Sequence, residues 1–141
     1  MLYTLGYEGR GLEDVVALLE HHCIDLLIDV RATPRSRKPG LSKTRLAEAV
    51  GAVGTGYRHE RRLGVPREER PAVRAGDDAA LARYRRRLET EDGPAVERVV
   101  ELARDQRVAL LCFERDEATC HRRVVAALVT AHDPGIGHAV L

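Results

Sequence analysis

The residues best suited to chemistry lie in the segment Cys112–Arg123, whose sequence is CFERDEATCHRR. It follows an apolar run, VALLCF (108–113), that predicts a buried strand, and Thr119 is expected to cap a helix. Cys120 and His121 then lie in the first turn of that helix, where free N–H groups and the helix dipole stabilise anions. This position lowers the pKa of a thiol, so Cys120 is a candidate catalytic nucleophile and His121 a candidate anion ligand. A packing or capping role for Cys120 remains open.

Three further residues could act beside Cys120. Glu114 and His59 are candidates for moving a proton, because a carboxylate near cations or an imidazole can be tuned toward neutral pH. Arg122 is a candidate anion ligand, since a guanidinium group binds phosphate in bidentate fashion. Cys112 lies within the apolar strand, and we expect it to be a small core residue.

The sequence gives little reason to expect a metal or a cofactor. Cys112, Cys120 and His121 are of metal-ligand type, but no paired C-x-x-C or H-x-x-x-H spacing occurs. A phosphatase or rhodanese loop needs an arginine six positions after the cysteine, where this chain has Ala118. The chain also contains no GxGxxG, GxxxxGK[ST] or GxSxG motif. We therefore expect neither metal nor cofactor.

A second group of candidates follows the apolar run IDLLIDV (24–30). Arg31, Arg35 and Ser36 lie in a loop rich in proline and basic residues, and guanidinium and hydroxyl groups are donors that bind phosphate. Tyr7 follows the first apolar run, and we include it as a substrate-binding candidate. An ordinary solvated basic loop remains the alternative.

The elements that position these residues alternate between strand and helix. Apolar runs predict strands near residues 2–5, 24–30, 56–59, 108–113 and 137–141, with amphipathic helices between them, whereas residues 64–78 are expected to form an irregular loop. This pattern predicts an α/β fold: a single three-layer domain over residues 1–141, with a mostly parallel sheet and helices on both faces. Ligands of such sheets bind beyond the carboxyl ends of the strands, and the candidates above all follow strands.

Composition restricts the class of protein. With 141 residues, 44% of them hydrophobic and 32% charged, the chain is expected to be globular. No apolar run or leader pattern predicts a membrane span or a signal peptide, and three cysteines without framework spacing favour a reducing, cytoplasmic environment. Residues 31–87 carry a net charge of +10, although the whole chain carries only +1. The expected partner is therefore a phosphate-bearing small molecule or a nucleic acid, with no membrane involved.

Four motifs resemble the domain of unknown function 488 family: TLGYEGR, DVRATPRSR, YRHERRLG and LLCFERDEATCHRR. They occur in the expected order along almost the whole chain. The resemblance implies a compact α/β domain but no particular activity. The family's motif positions correspond here to Gly6, Tyr7, Arg31, Pro34, Arg35, His59, Leu63, Gly64, Cys112, Glu114, Cys120, His121 and Arg122.

Two functions remain open from the sequence. The first is an enzyme or ligand-binding domain that acts on a phosphate-bearing substrate through an Arg/Cys/His/Glu pocket at the carboxyl edge of the sheet. The second is a non-catalytic nucleic-acid-binding module that uses the basic segment 31–87 for backbone contacts. Only four tyrosines and one phenylalanine are present, so few aromatic side chains are available for stacking on bases.

Overall fold

A computed structural model describes residues 1–141 and contains one five-stranded sheet. The strands are β1 (Leu2–Gly6), β2 (Leu26–Asp29), β3 (Gly56–His59), β4 (Val108–Cys112) and β5 (His138–Val140). The helices are α1 (Leu12–His21), α2 (Lys43–Gly51), α3 (Arg70–Arg74), α4 (Asp78–Glu89), α5 (Gly93–Asp105) and α6 (Arg122–His132). Every neighbouring pair of strands is parallel, in the order β3-β2-β4-β1-β5.

Alternating side chains divide the core between the two faces of the sheet. On β4, Val108 and Leu110 belong to a core with residues of α4, α5 and α6, while Ala109 and Leu111 belong to a core with residues of α1 and α2. Strands buried on both faces read as continuous apolar runs, which is why β2 and β4 were evident in the sequence. The expected α/β fold with helices on both faces is confirmed, and the sheet is parallel throughout.

The segment 64–78 differs from the irregular loop expected there. Residues Arg70–Arg74 form the short helix α3, with Pro71 in its first turn and Val73 buried against the core beneath α4. A proline in the first helical turn loses no intrahelical hydrogen bond, and Val73 packs into the core from this turn. The prolines and charges that suggested a loop therefore accompany a helix that contributes residues to the site described below.

Two close backbone approaches shape the carboxyl edge of the sheet. The Cα of Gly6 lies against the backbone of Glu114, and the Cα of Gly64 lies against the backbone of Ala32, so that neither position has space for a Cβ atom. These contacts hold the segments that follow β1 and β4, and those that follow β2 and β3, close together. None of the six helices has the length and apolarity needed to cross a bilayer.

Candidate functional site

A cleft of about 710 Å³ opens at the carboxyl edge of the sheet, beyond the ends of β1, β2 and β4. Of the residues predicted from the sequence, those that line this cleft are Tyr7, Arg31, Arg35, Ser36, Glu114 and His121. Cys120 and Arg122 lie buried behind its wall, and His59 lines a neighbouring cleft instead. The structure thus brings most of the predicted residues to one place, and it separates three of them from the cleft itself.

The first buried polar group at this edge is the Asp29 cluster, which consists of Asp29, Arg31, Tyr7 and Tyr57. Arg31 donates from Nε to Asp29 Oδ1 at 2.8 Å and from Nη2 to Asp29 Oδ2 at 2.7 Å. Its Nη1 donates to the carbonyl oxygen of Leu41 at 2.7 Å and to the Tyr7 hydroxyl at 3.2 Å. Tyr57 donates its hydroxyl hydrogen to Asp29 Oδ2 at 2.5 Å. Nearly all the hydrogen-bonding capacity of Arg31 is therefore used inside the protein.

Within the Asp29 cluster, the pKa values of Arg31 and Tyr57 are shifted. Burial by itself lowers the pKa of Arg31, but the hydrogen bonds and charge of Asp29 outweigh that effect and raise the pKa above its ordinary value. Burial raises the pKa of Tyr57, and the hydrogen bond to Asp29 raises it further. Both groups hold their protons at neutral pH. Asp29 offsets the charge of Arg31, so this arginine adds little net attraction for an anion, and its role as a substrate ligand stays a prediction.

The second buried polar group is the Cys112 cluster, which consists of Cys112, Glu114, Cys120 and His121. Cys112 Sγ lies 3.4 Å from Glu114 Oε2, and His121 Nδ1 lies 3.9 Å from Cys112 Sγ and 3.7 Å from Cys120 Sγ. His121 Nε2 lies 3.3 Å from the carbonyl oxygen of Val30, which can only accept a hydrogen bond. Nε2 therefore carries a proton, and Nδ1 faces the two sulfur atoms.

The two thiols of this cluster differ in pKa. The hydrogen bond from Cys112 lowers the pKa of Cys120 well below its ordinary value, with further contributions from His121 and Arg122. The same sulfur–sulfur interaction raises the pKa of Cys112, and burial raises it again. The pKa of Cys120 is thus shifted downward and that of Cys112 upward. The low pKa expected for Cys120 agrees with the structure, but its cause is contact with neighbouring side chains.

The start of the last helix differs from the prediction. Residues Glu117–Thr119 form a separate 3-10 turn capped by Asp116, the backbone is extended at Cys120, and α6 begins only at Arg122. Thr119 is therefore not the N-cap of α6, and Cys120 lies outside its first turn. The backbone is extended at Cys120, and only 2% of this residue is exposed. Cys120 is too deeply buried to meet a ligand in the cleft directly.

Arg122 is also directed inward. It is completely buried, its Nε donates to Cys120 Sγ at 3.1 Å, and its Nη2 donates to the carbonyl oxygen of Glu114. Its Nη1 has no hydrogen-bond partner. The contacts of Arg122 in the structure are thus with the protein itself, and its role as an anion ligand stays a prediction.

The rim of the cleft is basic, and the sequence pattern predicted only part of it. Arg35, Arg37 and Lys38 come from the loop after β2, and Arg70 and Arg74 come from α3. All five place a cationic side chain at the cleft. The sequence did not indicate Arg70 and Arg74, because α3 is too short to show a helical pattern in a segment rich in proline and charge. Tyr57 and Cys112 were missed as well, because an apolar or alternating strand pattern does not reveal which polar atom faces a neighbour.

The cationic side chains at the rim differ in whether they form ion pairs or hydrogen bonds within the protein. Arg74 pairs with Glu114, with Nε 2.6 Å from Oε1, and Lys38 Nζ donates to the carbonyl oxygens of Tyr7 and Arg10 at 2.9 and 3.0 Å. Arg35 and Arg37 take part in none of the ion pairs of the chain. The charges of Arg35 and Arg37 are therefore not offset by a carboxylate.

A second cleft adjoins the first and shares Ala32, Thr33 and Arg35 with it. The charged or titratable residues that line it are Arg35, Lys43, Arg45, His59 and Arg61. His59 Nε2 lies 2.7 Å from the carbonyl oxygen of Arg31, so this ring is anchored to the loop that separates the two clefts.

Fold and site together define an α/β protein with a polar, basic cleft at the carboxyl edge of a parallel sheet. The chain belongs to the family described as domain of unknown function DUF488, whose family model matches residues 11–129. The matched region contains the Cys112 cluster and the basic loop, and it begins after Gly6 and Tyr7. Searches of curated proteins and of solved structures returned no significant match.

Proposed function

We propose that the protein binds a phosphate-bearing ligand in the 710 Å³ cleft, as an enzyme or a ligand-binding domain for a nucleotide-like substrate. The observation that carries this proposal is the imbalance of charge around the cleft. Arg35, Arg37, Lys38, Arg70 and Arg74 stand at its rim, whereas Glu114 is the only carboxylate among the lining residues. A basic cavity of this kind concentrates anions.

The donors at the rim suit phosphate in type as well as charge. Arg35 and Arg37 have guanidinium groups without an internal ion pair, and a guanidinium fork matches two phosphate oxygens. Ser36 Oγ accepts from the Lys38 backbone N–H at 3.1 Å, which leaves its hydroxyl hydrogen free to donate to a ligand. Arg31 serves this site indirectly, because its bonds to Asp29 and Leu41 hold the start of the loop in place.

Chemical roles divide between the two clefts. Glu114 faces the main cleft and is the better candidate there for moving a proton, while His59 faces the adjoining cleft. Cys120 remains a candidate only as a thiolate that acts through its neighbours, because it does not line the cleft. More of the residues at the cleft therefore support ligand binding than support catalysis.

Isothermal titration with inorganic phosphate and with a mononucleotide tests the proposal. We expect the wild type to bind, and Arg35→Ala and Arg37→Ala each to weaken binding roughly tenfold, since a charge-assisted hydrogen bond is worth about 1.5–3 kcal/mol. Arg98→Ala is the matched control, because Arg98 is exposed on α5 and pairs with Glu101 away from the cleft. Absence of binding by the wild type, or an equal loss in the control, would count against the proposal.

A nucleic-acid-binding module is the second candidate, and the shared Arg35 favours it. The two clefts share Ala32, Thr33 and Arg35, and cationic side chains line both of them, as contacts to more than one phosphate group would require. If a polynucleotide is the ligand, Lys43→Ala and Arg45→Ala in the second cleft should weaken binding of a short oligonucleotide and leave binding of a mononucleotide unchanged. Binding should also weaken steeply with salt, by a slope of roughly 0.7 per phosphate contacted on a single strand.

A further inference from the structure

We propose that Cys112, Glu114, Cys120 and His121 form a binding site for a zinc ion at the floor of the cleft. The four side chains come from the end of β4, the segment after it and the residues just before α6. The absence of paired ligand spacing argued against a metal in the sequence, but the fold brings these residues together over a range of ten positions. The inference does not depend on the identity of the ligand in the cleft. A Glu114 carboxylate bound to zinc no longer moves a proton there, so proton transfer and zinc ligation are alternative roles for this residue.

The distances between the ligand atoms suit tetrahedral coordination. One sulfur, one carboxylate oxygen, the second sulfur and one imidazole nitrogen all lie within 4.8 Å of one another. Three of these separations are 3.4, 3.7 and 3.9 Å. A tetrahedral zinc site with bonds of about 2.0–2.3 Å has ligand–ligand separations of about 3.3–3.8 Å. An ion could therefore be accommodated with movements of an ångström or less.

The types of ligand also favour zinc. Two thiolates, an imidazole and a carboxylate combine soft and borderline donors, which suits zinc better than the oxygen-seeking Mg²⁺ or Ca²⁺. His121 offers Nδ1 to the site and holds the Val30 carbonyl oxygen through Nε2 at 3.3 Å, an arrangement typical of metal-ligating histidines. Glu114 has one oxygen fixed by Arg74 at 2.6 Å, which leaves the other to face the sulfur atoms.

The surrounding charge supports the same conclusion. A zinc ion with two thiolates and one carboxylate carries one net negative charge, and a buried charge needs a partner. Arg122 supplies it, because this completely buried guanidinium group donates to Cys120 Sγ at 3.1 Å. Arg122 would not bind the metal itself but would donate a hydrogen bond to one of its ligands, and such hydrogen bonds orient metal ligands and tune their basicity.

Cobalt(II) titration of the reduced protein in phosphate-free buffer tests the proposal directly. We expect one ion per chain, with thiolate-to-metal charge transfer in the near ultraviolet and the visible bands of a tetrahedral site, and we expect zinc to displace the cobalt. This readout uses the wild-type protein and therefore does not depend on whether a variant folds. No binding, or a spectrum of octahedral cobalt without thiolate charge transfer, would overturn the proposal.

Cysteine variants assign the site. Cys112→Ser and Cys120→Ser should weaken zinc binding by more than the roughly 10–100-fold that outer-shell substitutions cost, and Glu114→Gln should weaken it less than either. Cys23→Ser is the matched control, because Cys23 is an exposed thiol next to His21 and His22, where adventitious binding would occur. Equal affinities for Cys112→Ser and Cys23→Ser would contradict the assignment, as would loss of binding only in Cys23→Ser.

The outcome is separable from that of the phosphate experiment. Arg35→Ala and Arg37→Ala remove cations of the rim and none of the four proposed ligands, so they should leave cobalt binding unchanged. Metal binding without phosphate binding would support the zinc site and contradict the proposed function. Phosphate binding without metal binding would support the proposed function and contradict the zinc site.

Discussion

The Asp29 cluster and the Cys112 cluster lie side by side at the carboxyl ends of two paired strands, β2 and β4. The polar atoms of the two clusters find their partners in different ways. In the Asp29 cluster, both carboxylate oxygens and nearly all the guanidinium hydrogens are paired within the protein. In the Cys112 cluster, four atoms of metal-ligand type lie within 4.8 Å of one another. A buried polar group whose hydrogen bonds are all made inside the protein supports the structure, whereas one in which ligand-type atoms converge has capacity for a metal ion.

The largest expected effect comes from removing the charge of Asp29. Asp29→Asn leaves the buried guanidinium group of Arg31 without its counter-ion, and breaking a buried pair in this way costs about 3–5 kcal/mol. Denaturant unfolding measures this loss. The control is Glu89→Gln, since the Arg85–Glu89 pair is about half exposed at both ends and should contribute less than about 0.5 kcal/mol. Similar losses in both variants would show that the Asp29 cluster is not the supporting element described here.

A smaller loss is expected from Gly6→Ala. The new Cβ would overlap the carbonyl oxygen of Glu114, and forcing extra volume into such a contact costs about 1–3 kcal/mol. Because Glu114 must move, the affinity for cobalt should fall as well, which links this contact to the Cys112 cluster. Gly51→Ala is a control of opposite sign: Gly51 ends α2 with open space around it, so the substitution should stabilise the protein by about 0.5–1 kcal/mol. Unchanged stability of Gly6→Ala would contradict the close approach.

Tyr57→Phe sharpens the comparison within the Asp29 cluster. It removes one hydrogen bond to a buried carboxylate, and we expect a loss of about 1.5 kcal/mol, at the low end of the range for charged acceptors because Tyr57 is only partly buried. Thermal and denaturant unfolding both report it. Tyr3→Phe provides a control, since the Tyr3 hydroxyl contacts the side chain of Arg107 at the opposite edge of the sheet. An equal effect of the two substitutions would argue against a special role for Asp29.

The smallest effect concerns an exposed version of the same ion-pair chemistry. A hydrogen bond from Arg62 lowers the pKa of Glu60, against the opposing effect of partial burial. Because the folded-state pKa lies below the unfolded one, the stability from this pair is present above the ordinary pKa of glutamate, about 4.3, and is lost as the pH falls through the folded pKa. Arg62 is about half exposed, so the contribution should be a few tenths of a kcal/mol.

Glu60→Gln checks this direction. The difference in unfolding free energy between wild type and variant should be measurable at neutral pH and should vanish about two pH units below the ordinary pKa of glutamate. A difference that grows on acidification would reverse the assigned sign. The contrast with Asp29→Asn then measures how much burial adds to one kind of ion pair.

The sequence predicted the helices and strands well wherever the residues fitted only one type of secondary structure. The apolar runs of β2 and β4 have no helical alternative of that length, and Pro94 marked the first turn of α5. The pattern failed at α3, because a five-residue helix held by Val73 is too short to show a periodicity. It also placed the start of the last helix too early, since the 3-10 turn after Asp116 carries the same capping residues as an α-helix.

The edge of the sheet that holds the site was predictable, but the direction of individual side chains was not. The last helix starts at Arg122, later than expected, and Cys120 and Arg122 are buried in contact with each other. The partner of Tyr57 is Asp29, 28 positions earlier, and only strand pairing brings them together. Local sequence rules contain no information about such pairings. Cys112 is buried as expected for a core residue, and its contacts with Glu114 and His121 became visible only in the fold.

The strand order has a consequence for how the chain assembles. The central position in the sheet belongs to β4, which pairs with β1 on one side and β2 on the other, although about eighty residues separate β2 from β4 along the chain. Neither earlier strand can complete its hydrogen bonds until β4 inserts between them, so contacts of long sequence separation limit the folding rate. A nascent chain that ends before Val108 therefore lacks the middle of its sheet and one wall of the cleft. Folding and the ability to bind a ligand should appear together, in one late step.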